Sequence, residues 1–147
     1  MRNLFLAAAL ATSTSTGAAM AAPLCDDLGF AGLLAACNRG ETIRLTLASG
    51  QPLGEDATLQ SGAYYTLEIV ADGSAELAIE GPSFFRAIWM NEIVINKIEI
   101  RPMAIDSLEF DDAGTAELSF IAIKPGSHTI RIPGSTGETQ SVTFSIQ

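Results

Sequence analysis

Few side chains in this sequence could bind a soft metal ion. The chain has one histidine, two cysteines and four methionines among its 147 residues. Thioether and imidazole groups are ligands for Cu(I), so Met90, Met103 and His128 form the candidate metal site, one suited to a copper carrier that does not change redox state. The alternatives are structural, because methionine fills gaps in cores and a lone histidine ring can hydrogen-bond a loop carbonyl.

Carboxylates offer a second kind of chemistry. Asp111, Asp112 and Glu117 flank Gly114, and clustered carboxylates can bind Ca²⁺. The calcium-loop spacing Asp-x-Asp-x-Asp-Gly is absent, however, and two aspartates before Ala-Gly are also ordinary turn residues. Nor does the sequence contain a nucleophile elbow, a zinc motif or a phosphate-binding glycine loop. We therefore expect that the protein is not an enzyme.

The two cysteines, Cys25 and Cys37, favour a disulfide if the chain is exported. Twelve residues of unbroken helix would separate them by about 18 Å, whereas bridged Cα atoms lie roughly 4.4 to 6.8 Å apart. A helix can therefore occupy only part of this span, and Gly29 or Gly32 is the expected bend. The alternative is a redox or metal-binding pair, but the close CxxC spacing is missing.

An aromatic cluster follows Gly81 and Pro82 and alternates poorly for a strand. Its members Phe84, Phe85 and Trp89 could form an exposed patch that docks a partner protein. The alternative is a loop that folds over one end of the core.

The N-terminus predicts export. One basic residue, a short apolar run and Ala19-Met20-Ala21 follow one another, which is the order of a secretory signal peptide, predicted at residues 1–21. The segment before Cys37 also resembles a lipoprotein cleavage box, but acidic residues stand where that signal needs basic ones. No other apolar stretch is long enough to span a membrane, so we expect no membrane-embedded part.

The chain is acidic, with a formal charge of −9. Cleavage after Ala21 would remove Arg2 and no acidic residue, which makes the charge −10. This charge argues against nucleic acid or an anionic membrane as partner and permits a cation or a basic protein. The plainer interpretation is that it keeps a secreted domain in solution.

We expect the exported chain to have two parts. Residues 22–40 form a short helical segment that contains both cysteines, and residues 41–147 form one domain. In this domain apolar residues alternate with polar ones, and turn residues recur every 8 to 12 positions, which predicts eight or nine strands in an antiparallel β-sandwich. Asp72-Gly73 predicts a tight hairpin. The alternation changes phase at Asn96-Lys97, where we expect a bulge or a turn.

Three stretches resemble the cupredoxins, in particular the divergent cupredoxin-like domains of bacterial periplasmic proteins. They are an early strand pair, a late strand with a Pro-Gly turn, and the closing strand: "ATLQSGAYYTLEIVADG", "IDSLEFDDAGTAELSFIAIKPGSHTIRIPG" and "SVTFSIQ". The resemblance implies an all-β, antiparallel Greek-key sandwich of cupredoxin type and a periplasmic location. It also puts Met90 and Met103 in the segment where the first copper ligand of that family tends to fall.

The ligands of a type 1 copper centre are missing from the positions where the resemblance implies them. The aromatic position after the Pro-Gly turn holds His128, the copper-binding cysteine position holds Ile132, and the loop 133–141 has neither His nor Met. Because a blue-copper centre needs a thiolate and two imidazoles, we expect no type 1 copper.

Two functions follow as hypotheses. The first is a non-catalytic, cupredoxin-like periplasmic protein that handles a metal, with copper as the first one to test, or that assists a redox system. The alternative is a metal-free sandwich that binds a protein partner through residues 84–89.

Overall fold

The computed structural model describes residues 22–147, so the predicted signal peptide at residues 1–21 lies outside the described part. Ten strands and one short helix follow one another in the order β1 Ile43–Leu47, β2 Ala57–Leu59, β3 Tyr64–Ala71, β4 Leu77–Glu80, α1 Pro82–Phe85, β5 Ile88–Ile95, β6 Ile98–Ile100, β7 Ser107–Phe110, β8 Gly114–Ala122, β9 Gly126–Arg131 and β10 Ser141–Ile146. Short 3₁₀ helices occupy Gly29–Leu34, Ala36–Asn38 and Glu138–Gln140. In the described residues no helix has the length and apolar character needed to cross a membrane.

The strands form two five-stranded sheets that face each other. Sheet A has the order β1-β3-β8-β5-β6, and sheet B has the order β2-β10-β9-β4-β7. The predicted all-β sandwich is confirmed, but the sheets are mixed, since the edge strands β1 and β2 run parallel to their neighbours β3 and β10. Because side chains alternate across a strand, one face of each sheet supplies the core between them.

Helix α1 packs an aromatic side chain between the two sheets. Phe84 is fully buried, and its ring centre lies 5.4 Å from that of Phe120 in sheet A and 4.6 Å from that of Phe144 in sheet B. Pro82 stands at the start of the helix, where a missing N–H is tolerated. Phe84 therefore bridges the two sheets.

The two turn predictions had different outcomes. Asn96 and Lys97 both have positive φ, 51° and 66°, and form the two-residue turn between β5 and β6, as the change of phase predicts. The hairpin predicted at Asp72-Gly73 is wrong, because β3 belongs to sheet A and β4 to sheet B. The Asp72 N–H donates to the Leu47 carbonyl, which holds the turn against the end of β1.

The N-terminal segment is fastened by the predicted disulfide. Cys25 and Cys37 are bridged, with their Cα atoms 5.9 Å apart, and Gly32 breaks the first 3₁₀ helix with φ 57°. The fully buried Asn38 accepts the Leu24 N–H at 2.8 Å and donates to the carbonyls of Leu33 and Gly62. One buried amide thus ties this segment to the sandwich.

Candidate functional site

His128 takes a structural position at the start of β9. Its side chain lies opposite Phe144 of β10 and points into the sandwich, with 9% of its surface exposed. The Nε2 atom lies 3.1 Å from the carbonyl oxygen of Lys124. A carbonyl only accepts hydrogen bonds, so this contact places the proton on Nε2 and removes that nitrogen as a metal ligand.

The three predicted metal ligands do not form a cluster. Met90 lies on β5 opposite Phe120 and packs against the core from sheet A, while His128 points into the core from sheet B. Phe84 stands between these two sheets in contact with Phe120. Met103 lies between β6 and β7 and is fully exposed. The three predicted ligands therefore lie in three different environments.

The residues at the position of a type 1 copper centre do not fit that metal. Ile132 stands where the resemblance implies a thiolate; it is buried, and its N–H donates to the carbonyl of Gln140. Both cysteines of the chain are consumed by the disulfide at residues 25 and 37. Without a thiolate and a pair of imidazoles, this side-chain set cannot form a blue-copper centre.

The predicted aromatic docking patch divides into core and surface. Phe84 and Phe85 are 0% and 7% exposed, so they cannot contact a partner in the folded protein. Only Trp89 is accessible: it lies on the outer face of sheet A opposite Ile121, about half exposed. Alternation along β5 explains the exposure of Trp89, because Met90 points inward and the residue before it therefore points outward.

The carboxylates that lie close together in the structure differ from the three that the sequence suggests, Asp111, Asp112 and Glu117. Oxygen atoms of Glu76, Glu109 and Asp111 lie within 4.8 Å of one another. Asp112 instead accepts the N–H of Ala113, and Glu117 lies on β8. The three clustered side chains are exposed and surround no feature that indicates a ligand, so we assign no cation site to them.

One exposed apolar surface is not among the sites that the sequence predicts. Ile98 and Ile100 pair with Ile95 and Ile93 across the β5–β6 turn, so all four side chains share the inner face of sheet A. Ile93 is 3% exposed, but Ile98 and Ile100, on the edge strand of sheet A, are 64% and 44% exposed. We call the exposed side chains of Ile98 and Ile100, together with that of Met103 three residues further along the chain, the β6 patch. The change of phase at residues 96–97 was its only signal in the sequence.

Charged residues and a proline border the β6 patch. Glu99 points to the outer face of sheet A, and Arg101 bonds both Glu99 and Glu92 at 3.1 Å. Pro102 follows and has no N–H to offer to another strand. Short length, charge and proline are the features by which natural sheets prevent indiscriminate edge pairing. The accessible part of this edge is therefore its row of apolar side chains.

Comparisons with known proteins support the fold. No protein-family model matches the chain, and no curated protein sequence matches it. Solved structures do match: a multicopper oxidase from Pseudomonas thermotolerans has 16% identity and a TM-score of 0.52 over 73% of this chain and 29% of the oxidase. A multicopper oxidase from Pseudomonas parafulva has 15% identity and a TM-score of 0.52 over 71% of this chain and 30% of that one.

These similarities show a common architecture. The chain spans less than a third of either oxidase, and identities this low carry the fold alone. The cupredoxin-type β-sandwich that the sequence predicts is thereby confirmed.

Proposed function

We propose that this chain is an exported, non-catalytic, cupredoxin-like module that works by binding another protein. The observation that carries the proposal is the β6 patch, where Ile98 and Ile100 are exposed side by side on the edge strand β6 and Met103 is exposed three residues further along the chain. Contiguous exposed apolar surface typically marks an interaction site. The patch replaces residues 84–89 as the main docking surface, because two of the three aromatics predicted there are buried.

The occupant is a different protein and not a second copy. Antiparallel pairing of β6 with itself about its central residue would place Glu99 opposite Glu99, and like charges directly opposite are destabilising. A register centred on Ile100 would pair Ile98 with Pro102, which has no N–H. The acidic charge of −9 also repels a second copy. An apolar surface on a less acidic partner meets none of these obstacles.

Export places the module in a disulfide-permitting compartment. The signal peptide predicted at residues 1–21 and the bridge between Cys25 and Cys37 support this. By analogy with cupredoxin-like domains, the partner belongs to a periplasmic metal or redox system, in which this chain serves as the accessory.

Metal handling through Met90, Met103 and His128, the other function that the sequence suggests, has a weaker basis. The Nε2 atom of His128 is engaged by a carbonyl, and the exposed Met103 would have to act alone or with groups that move towards it. A thermal-shift titration with Cu(I), Cu(II) and Ca²⁺ tests it, because an ion that binds only the folded state must raise the melting temperature. A stoichiometric ion lost on changing these three residues would establish the carrier role.

The docking proposal is tested by capture from a periplasmic extract with matched variants. Ile98→Lys and Ile100→Lys put a charge into the β6 patch, and Thr115→Lys adds the same charge at an exposed position on β8. We expect a protein retained by the wild type and by Thr115→Lys but lost with both patch variants. Equal capture by the wild type and these three variants would contradict the proposal. A further variant, Trp89→Ala, tests the alternative: if it alone loses the captured protein, the docking surface is the one around Trp89.

A further inference from the structure

A groove runs along the other side of the sandwich, between the edge strands β1 of sheet A and β2 of sheet B. Its volume is about 650 Å³, within the roughly 300–1,000 Å³ typical of binding pockets. Ile43, Leu59 and Tyr65 belong to its apolar part, and carboxylates lie among its lining residues. Neither of the functions considered above uses this groove.

One wall of the groove presents backbone groups of β1. The Thr46 N–H donates at 2.7 Å to the Leu53 carbonyl, outside the sheet, so Thr46 faces away from β3. Backbone groups point to alternate sides along a strand, so Arg44, two residues earlier, faces the same way. Its N–H and carbonyl are thus directed to the groove side of β1, where Gly54 lies beside the carbonyl.

The opposite wall presents the same kind of groups from β2. The Leu59 carbonyl accepts the N–H of Gln147 at the end of β10, so Leu59 faces into sheet B. By the same alternation, its neighbour Thr58 directs its N–H and carbonyl away from β10 and towards the groove. Backbone groups of one residue from each sheet, Arg44 of β1 and Thr58 of β2, are therefore directed towards the groove.

The rim of the groove is acidic. Glu41, Glu55 and Asp56 line it. Asp56 accepts the Thr143 N–H at 2.7 Å, whereas Glu41 and Glu55 make no ion pair with any of the described residues, 22–147. The cation among the lining residues, Arg44, is already paired with Glu68. The rim therefore attracts positive charge.

We propose that this groove binds an extended peptide segment of another protein that carries lysine or arginine beside small apolar residues. Such a segment meets the exposed edge groups by adding a strand, places apolar side chains on the floor, and puts its cations against Glu41 and Glu55. A second copy of this chain is a poor occupant because it is itself acidic. A small organic cation satisfies the rim charges but not the backbone groups.

The test uses fluorescence anisotropy with a fluorescein-labelled, eight-residue peptide of alternating lysine and valine, and with the same peptide carrying glutamate for lysine. The protein is the full exported chain with its disulfide intact. We expect saturable binding of the lysine peptide, weakening as salt rises, and no binding of the glutamate peptide. Absence of saturable binding, or equal binding of both peptides, overturns the proposal.

Two pairs of variants locate the site. Glu41→Gln with Glu55→Gln should weaken binding about five- to tenfold at about 0.1 M salt, since each exposed ion pair contributes modestly. Glu76→Gln with Glu109→Gln removes the same charge near β7 and should change the affinity less than about twofold, because screening limits exposed charges to roughly 10 Å. Equal weakening in both double variants would mean adsorption by overall charge and would overturn the proposal.

Thr58 separates strand addition from attraction of a cation. An edge strand tolerates proline at a position where the replaced N–H faces away from the sheet. Thr58→Pro should therefore fold with a melting temperature close to that of Thr58→Ala. It removes one donor to the peptide and should weaken binding about three- to tenfold relative to Thr58→Ala. Equal affinity of these two variants, once circular dichroism shows both to be folded, overturns strand addition. All these variants leave the β6 patch intact, so the two binding proposals can fail separately.

Discussion

Replacing Phe84 with alanine should destabilise the protein severely, because this buried side chain contacts aromatic residues of both sheets. Phe84 is fully buried and packs on Phe85, Phe120 and Phe144. Removing a buried phenylalanine costs about 3–5 kcal/mol of unfolding free energy, from lost transfer energy and the cavity left behind. For a domain of this size, that lowers the melting temperature by roughly 10–20 °C.

The assay is equilibrium unfolding in urea without reductant, followed by the fluorescence of Trp89, the one tryptophan of the chain. Phe30→Ala is the matched control, since the same residue type is fully exposed there and its removal should change the unfolding free energy by no more than about 0.5 kcal/mol. Phe84→Leu should fall between the two. A loss below about 1 kcal/mol for Phe84→Ala would refute the core assignment and restore Phe84 as a docking residue.

Four further predictions concern stability. Replacing Cys25 and Cys37 together with serine should cost about 3 kcal/mol, because a closed loop of this length restricts the unfolded chain; thermal unfolding of the double variant checks this. Asn38→Ala should cost about 2–3 kcal/mol, since it leaves buried backbone groups without partners; urea midpoints would measure it, and an unchanged midpoint would contradict the anchoring role. Hydrogen bonds from Ser74 lower the pKa of Asp72 below its ordinary value of 3.8. The stabilisation from this carboxylate is therefore complete above that value and is lost as the pH falls through the lowered folded-state pKa. Below about pH 4, the urea midpoint of Asp72→Asn should therefore depend less on pH than the midpoint of the wild type. Ile100→Lys, at a half-exposed position, should lower the unfolding free energy by no more than about 1 kcal/mol; a larger loss would mean that the β6 patch is core.

The sequence predicted those features that local pattern determines. The change of apolar phase placed the turn at Asn96-Lys97, and the geometry of bridged cysteines required a bend that the structure has at Gly32. The Asp72-Gly73 signal failed for a tertiary reason. A turn sequence states that the chain reverses but not which sheet the next strand joins, and here β4 joins sheet B.

The candidate sites were less predictable than the fold. Periodicity shows that Ile98 and Ile100 share a face, but their exposure also depends on the position of β6 at the edge of sheet A, which the pattern does not give. The groove between β1 and β2 arises because two consecutive strands join different sheets at the same side of the sandwich, and a sequence pattern does not state which sheet a strand joins. Likewise, Phe84 and Trp89 belong to one aromatic cluster in the sequence, and α1 and β5 send them to opposite environments.

The measurement that tests the docking account most directly is site-specific photo-crosslinking in the cell envelope. A photoreactive amino acid would replace Ile98 in the β6 patch or, as a control, Thr115 on the outer face of sheet A. We expect one discrete adduct with another protein from position 98, its disappearance when Ile100→Lys is added, and no such adduct from position 115. The same adduct from both positions, or an adduct from position 98 that survives Ile100→Lys, would contradict it.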